Sequence, residues 1–438
     1  MLPILNLCVP TDAARVRSIV NRLRLDPRDT ALSRGPRAAM TVDVQKILTD
    51  VAERGDAALV DVARQFDDPD FSIDQLRVTP DEMKSAAERV DPQLLSAIRR
   101  SICQVREYQS HVMPKAPAPL QRPGLQLGLK ISPLDSAGIY FPGGKASYPS
   151  SLIMLAVPAQ VAGVKRIVVC TPGSRFGKSD VVLATAHEVG VTEMYRVGGA
   201  AAIGAMAFGT QSIAAVDKIV GPGNTYVQLA KRLLAGCVGI DGYLGPSEIL
   251  TIADDTADAR FIAADLVAQA EHDPGSCFLL TTSSTLARAV VEQIDIQLRT
   301  LGRSEAIVKA LTHDSMIVID ASMDRLIDLA NEIACEHINL QTHDDDAVLG
   351  ALRHYGAAYV GKYAPVAAGD YVAGPSHCLP TNTTARFASG ISVYEFLKRS
   401  SVVRYDRAGL NADAPAIMAL AQAEQLDAHA ASVRVRVE

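Results

Sequence analysis

Apolar positions recur with helical spacing along the first third of the chain. Val42, Ile47, Val51 and Leu59 are separated by charged residues, which predicts helices over 41–67, and the same texture returns over 80–110. Residues 1–34 read as a short, arginine-rich amphipathic helix followed by an irregular connection. From about residue 139 the period changes. Short β-branched runs, RIVVC (166–170), MYRV (194–197) and KIVG (218–221), alternate with alanine-rich helical stretches around 178–189 and 200–208. A second series follows in FLLTT (278–282), MIVID (316–320), INLQT (338–342) and AAYVG (357–361). Such alternation, with glycine where strands end, points to βα units around parallel sheets. Near the end, 411–430 reads as an alanine-rich helix, and ASVRVRV (431–437) alternates as an exposed or edge strand would.

At 438 residues the chain exceeds one ordinary core, so at least two domains are expected. The formal net charge is −6 and the arginines are scattered, which argues against a nucleic-acid or anionic-membrane surface. Pro158 and Gln160 interrupt the apolar stretch 151–164 well short of a membrane span. The opening MLPILNLCVP lacks a basic region and meets Asp12 and Arg15 at once, so it does not read as a signal peptide. Seven cysteines without CxxC spacing fit neither a disulfide framework nor a cysteine zinc knuckle. The expectation is a reduced, cytoplasmic protein.

The glycine-rich turns are not standard nucleotide fingerprints. In GIYFPGGKASYPSS (138–151) the span from Gly138 to Lys145 is one residue too long for a P-loop and contains Pro142, and no GxGxxG follows a strand. VGGAAAIG (197–204) and VGPGNTYVQLAKR (220–232) put glycines between strand and helix, with Pro222 suited to a first helical turn and Asn224 near the helix start. Helix starts of this kind offer N–H groups to an anion such as pyrophosphate, or are plain tight turns.

Two Glu-His pairs occur among only nine histidines. The helix 257–272 must stop near Asp273, because Pro274 disfavours a helical residue before it. Gln269 and His272, three apart, leave its last turn on one side, as half of a divalent-metal site or as a simple helix-end complement. Asp370 and His377 lie in the Gly/Pro-rich loop GDYVAGPSHCLPT (369–381), and Glu424 and His429 lie five apart on the terminal helix. Glu336-His337 stands where a helix hands over to a strand, and a histidine there can accept a proton near neutral pH. Cys335 beside it is either a reactive thiol or a buried, inert one.

Taken together, GIYFPGGKASYPSS, VPAQVAGV (157–164), VGPGNTYVQLAKR, GPSEILTIAD (245–254), LVAQAEHDPGS (266–276), EHINLQT (336–342) and SHCLPT (376–381) resemble the histidinol dehydrogenase family from about residue 40 to 437. The resemblance implies an α/β fold of two incomplete Rossmann-like domains with parallel sheets, plus small N- and C-terminal dimerisation segments. It implies these bounds: 1–34 an N-terminal helical segment; 35–139 with 249–391 a first domain carrying the zinc and catalytic residues; 140–248 an NAD-binding domain; 392–438 a tail swapped across a homodimer.

The implied activity is zinc-dependent, NAD-linked, four-electron oxidation of L-histidinol to L-histidine through the aldehyde. His337 would be the general base and Glu336 would activate water for the aldehyde step. Gln269, His272, Asp370 and, from the other subunit, His429 would bind zinc and position the substrate. Ser247, His377, His337 and a donated Glu424 would line the substrate; Tyr140, Asn224 and position 201 would touch NAD.

Three departures stand out. Ala201 replaces a common glutamine, DGYLGPSE (241–248) alters the wall near Ser247, and NTTAR (382–386) lacks a glycine pair often found there. They leave two alternatives: a paralogue oxidising a different small polar alcohol, or a catalytically silent metal- or ligand-binding dimer. A thioester at Cys335 is a further chemical route to the acid.

Overall fold

The structure, a computed structural model, describes all residues except 1, 29–31, 33, 36, 144, 145, 273, 274, 303 and 313. Lys145 and the expected helix stop at Asp273 and Pro274 therefore lie outside the described residues. The first sheet holds β1 (Ile4–Asn6), β10 (Ser247–Ala253), β11 (Gly275–Thr281), β12 (Met316–Ile319), β13 (His337–Gln341) and β14 (Ala357–Val360), all parallel, in the order β1-β12-β11-β10-β13-β14. The second holds β2 (Arg77–Val78), β5 (Ser136–Tyr140), β6 (Arg166–Thr171), β7 (Glu193–Arg196), β8 (Lys218–Val220) and β9 (Gly239–Ile240), in the order β2-β7-β6-β5-β8-β9, with only β2 antiparallel. A small antiparallel sheet joins β3 (Leu120–Arg122), β4 (Leu125–Pro133) and β15 (Leu397–Tyr405).

Apart from the edge strands β1 and β2, each large sheet starts at its centre, with β10 or β5, builds outward on one side, then crosses to the other. The crossings fall between β10 and β13 and between β5 and β8, the doubly wound switch points of an α/β fold. Strand side chains alternate between two helical layers, because successive residues point to opposite faces. In the first sheet Ile249, Cys277, Leu279 and Ile317 pack on helices Ala259–Ala270 and Ser284–Leu298, while Leu250, Phe278, Leu280 and Ile338 pack on Pro10–Leu23 and Met323–Ile333. Burial on both faces explains why these strands read as unbroken apolar runs.

Several expectations differ from what is observed. Residues 1–34 contribute more than a helix: Ile4–Asn6 adds a strand to the edge of the first sheet. The segment 35–139 was assigned to the first domain, yet its helices Arg37–Arg54, Pro80–Arg89 and Pro92–His111 pack into the two cores of the second sheet, to which β2 and β5 also belong. ASVRVRV is not a strand but the end of helix Asp427–Val437. Its buried positions, Ala430 and Val433, are three apart and face the preceding helix, so packing overrides the valine–arginine alternation. The helix expected over 411–430 is two, Arg407–Ala423 and Asp427–Val437, broken at Gln425, which takes a left-handed φ of 59°.

Candidate active site

Helix Met323–Ile333 ends at Ala334 in the left-handed conformation, and three residues later β13 begins with His337. This delivers Glu336 and His337, 5% and 3% exposed, to the amino edge of the first sheet. The parallel pairing of β10 with β13 sets Glu248 beside them. The Glu248 N–H donates to Glu336 Oε2 (2.8 Å), and the Glu248 carbonyl accepts from His337 Nδ1 (3.0 Å). A carbonyl can only accept, so Nδ1 carries a proton, and in the neutral ring the lone pair is on Nε2. Nε2 is buried without a hydrogen-bond partner and faces Asp370 Oδ1 at 3.9 Å. Glu336 Oε2 also lies 3.4 Å from Nδ1, behind the ring.

These charges govern one another. Burial alone depresses the His337 imidazole, but the neighbouring Glu336 and Asp370 carboxylates outweigh it and raise the group to about 9. Burial, then the Glu336 charge, pushes Glu248 up to about 8. A cation on Asp370 would withdraw part of the pull on His337 and favour its neutral, proton-accepting form. Burial also raises the Cys335 thiol well above its ordinary value; the side chain is fully buried, which leaves it inert.

Asp370 ends the helix Val366–Tyr371, which packs against the helix bearing Gln269. At Gly369 just before it, an added Cβ would meet the Tyr359 hydroxyl at 2.0 Å and displace that ring. Tyr359 in turn lies against His337, ring centroids 5.9 Å apart. The Asp370 carbonyl accepts from His377 Nδ1 (2.8 Å), and His377 Nε2 accepts from the Ser151 hydroxyl (3.2 Å). Ser151 begins a helix of the second sheet, so this bond spans the two halves.

For a metal, the expected donors divide. Gln269 is buried with its amide Nε2 unpartnered, and Asp370 is a quarter exposed nearby; His272 is exposed just past the helix end. An amide oxygen, a carboxylate and an imidazole are fitting donors for zinc with open positions; Gln269 would ligate through Oε1, while its buried Nε2 is a donor without a partner. Among the described residues no three His, Cys, Asp or Glu side chains form a metal-binding group. Glu424 and His429 are exposed, on opposite sides of the Gln425 break, and among the described residues no hydrogen bond or ion pair joins them to the cluster.

The carboxyl edge of the second sheet, at the β5/β8 switch point, carries the expected cofactor residues. Asn224 caps helix Thr225–Leu234, its side chain accepting from the Val227 N–H (3.2 Å); Pro222 precedes the helix rather than starting it. Tyr140 is buried, and its hydroxyl accepts from the Gly199 N–H (3.1 Å), so it braces the start of helix Gly199–Phe208. Ala201 packs in the core with 1% exposure. Gly221 takes φ 125°, and a Cβ there would meet the Tyr140 carbonyl at 1.8 Å. Its N–H donates to Asp241 Oδ2 (2.6 Å) and its carbonyl accepts from Lys231 (3.0 Å), and these two side chains form a buried ion pair. Ser247, half-buried, opens β10 opposite Gly275.

The sequence profile of the histidinol dehydrogenase family matches residues 33–437. Histidinol dehydrogenase of Gluconobacter oxydans (strain 621H) is 45% identical over 90% of this chain and 92% of its own length. That of Geobacillus kaustophilus (strain HTA426) is 46% identical over 90% and 93%. The crystal structure of histidinol dehydrogenase from Elizabethkingia anophelis superposes with a TM-score of 0.91 at 32% identity, covering 100% of this chain and 98% of that one.

Proposed function

The chain belongs to the histidinol dehydrogenase family, and from that membership we propose that it oxidises L-histidinol to L-histidine through the aldehyde, in two hydride transfers. The observation that carries the site assignment is the His337 tautomer. With Nδ1–H held by the Glu248 carbonyl, the unpartnered Nε2 is the atom able to take the hydroxyl proton. Glu336, hydrogen-bonded at one oxygen by the Glu248 N–H, takes one proton of the water that adds to the aldehyde, while His337 Nε2 returns its proton to the carbonyl oxygen. His337 then removes a proton from the resulting hydrate as the acid forms. When bound, two NAD in turn would each accept one hydride, and zinc would hold the substrate's imidazole and amine.

Gln269, His272 and Asp370, with His429 of the partner subunit, would hold the metal. Ser247, His377 and Glu424 of the partner subunit would bound the substrate. Tyr140 and Asn224 shape the dinucleotide crevice of a homodimeric enzyme. Among the described residues no helix is long and apolar enough to cross a membrane.

A second reading, oxidation of another small polar alcohol, rests on the altered wall, where half-buried Tyr243 sits under the Arg37 guanidinium at 5.8 Å. The test is NADH release by the zinc-loaded protein with L-histidinol and NAD. Two NADH per histidine support the four-electron reaction. Silence, with metal bound, moves the assignment to the second reading.

A further inference from the structure

Glu248 is almost fully buried at 2% exposure, and its three polar parts all serve the reacting pair. Its N–H holds Glu336 Oε2, and its carbonyl fixes the His337 tautomer. Its side chain Oε1 accepts from the Asn382 N–H at 2.9 Å. Asn382 sits in the left-handed conformation, φ 55°, and its side-chain amide donates to the Leu23 carbonyl at 2.9 Å. One residue therefore ties three pieces of chain into a single frame: the start of β10, the turn before β13, and the loop at 381–384.

We propose that Glu248 is a positioning residue for both oxidation steps. Its backbone orients Glu336 and His337 directly, and its side chain fixes that backbone by tying the start of β10 to the Asn382 loop. Any residue supplies the N–H and carbonyl at this position. Only an acid or its amide supplies, at that reach, the acceptor for the Asn382 N–H. In water the clamp would be weak, but at 2% exposure the unpaired Asn382 donor would carry the full cost of desolvation, so the strand start would shift rather than leave it bare. This inference rests on reading Glu336 and His337 as the reacting pair.

The test compares Glu248→Ala, Glu248→Asp and Glu248→Gln with the unaltered, zinc-supplemented full chain, using histidinol and histidinal separately. Loss of an orienting partner is expected to lower kcat for both substrates by about 10–100-fold in Glu248→Ala, with KM moving far less. Glu248→Gln, which keeps one acceptor at the same reach, is expected to regain most of that loss, and Glu248→Asp, one methylene short, is not. A purely structural role would reduce the folded fraction but leave kcat per metal-bound site unchanged. A folded Glu248→Ala with kcat within twofold of the unaltered chain overturns the proposal. Where Glu248→Ala fails to fold, Glu248→Asp decides on the same criterion. Should the unaltered chain oxidise neither substrate, the reading of the site fails instead. Amide exchange over 334–340 then decides: faster exchange in Glu248→Asp supports the clamp, and unchanged exchange overturns it.

Discussion

Lys231 and Asp241 form an ion pair whose side chains are 1% and 0% exposed, and both hold the backbone of Gly221. A buried pair gains little over an apolar replacement, but breaking it strands a charge. Either Lys231→Ala or Asp241→Ala should cost about 3–5 kcal/mol in urea unfolding, while Lys231→Met with Asp241→Leu should recover much of it. Single variants within 1 kcal/mol of the parent, allowing for about 10–15% extrapolation error, would mean the pair does not brace the turn.

Thr383 follows Asn382 in the left-handed region, at φ 65°, in the stretch where the family often carries paired glycines. A β-branched residue there is strained by roughly 1–2 kcal/mol, and glycine is not. Because glycine also loosens the unfolded chain, Thr383→Gly should stabilise the protein by about 0.5–1 kcal/mol. A lower melting temperature in the variant would refute the strain.

Burial lifts Asp265 to about 6, opposed by the Val366 N–H, with the Tyr359 ring nearby. The folded state thus holds this proton more tightly than the unfolded chain. Its contribution is complete below the unfolded value near 4 and is lost as pH rises through 6. Relative to Asp265→Asn, the parent should lose on the order of 1–3 kcal/mol of stability between pH 4 and 7. Unfolding curves whose difference does not vary with pH would remove the assignment.

His272→Asn, and separately removal of residues 424–438, should each lower bound zinc in the purified protein, read by atomic absorption. Full occupancy in the shortened chain would show that His429 is no ligand.

The fold was largely legible because both large sheets are buried on two faces, and their strands stand out as apolar runs between helices. Legibility failed where packing outvotes local pattern, as in ASVRVRV, where Val433 faces a neighbouring helix while Val435 is 69% exposed. Glu336, His337 and Asp370 were found by type, and the structure brings them together. The role of Glu248 is not legible in GPSEILTIAD, since its N–H and carbonyl are common to every residue and only the β10–β13 register aims them. Lys231 and Asp241 were hidden likewise: ten residues apart, they meet only around the Gly221 turn. Glu424 and His429 stand apart from the cluster within one chain, and the role proposed for them calls for a second chain, which no single-chain pattern encodes.

The first strand of the protein is made early and used late. Ile4 registers with Ile317, so β1 has no partner until nearly three quarters of the chain exists. Between them, residues 37–240 supply every strand of the second sheet. At about 5–20 residues per second, β1 and the apolar face of Pro10–Leu23 wait on the order of 15–60 s on the ribosome before their neighbours emerge. The second sheet can finish first, and the exposed leading segment is what a nascent-chain chaperone would need to shield.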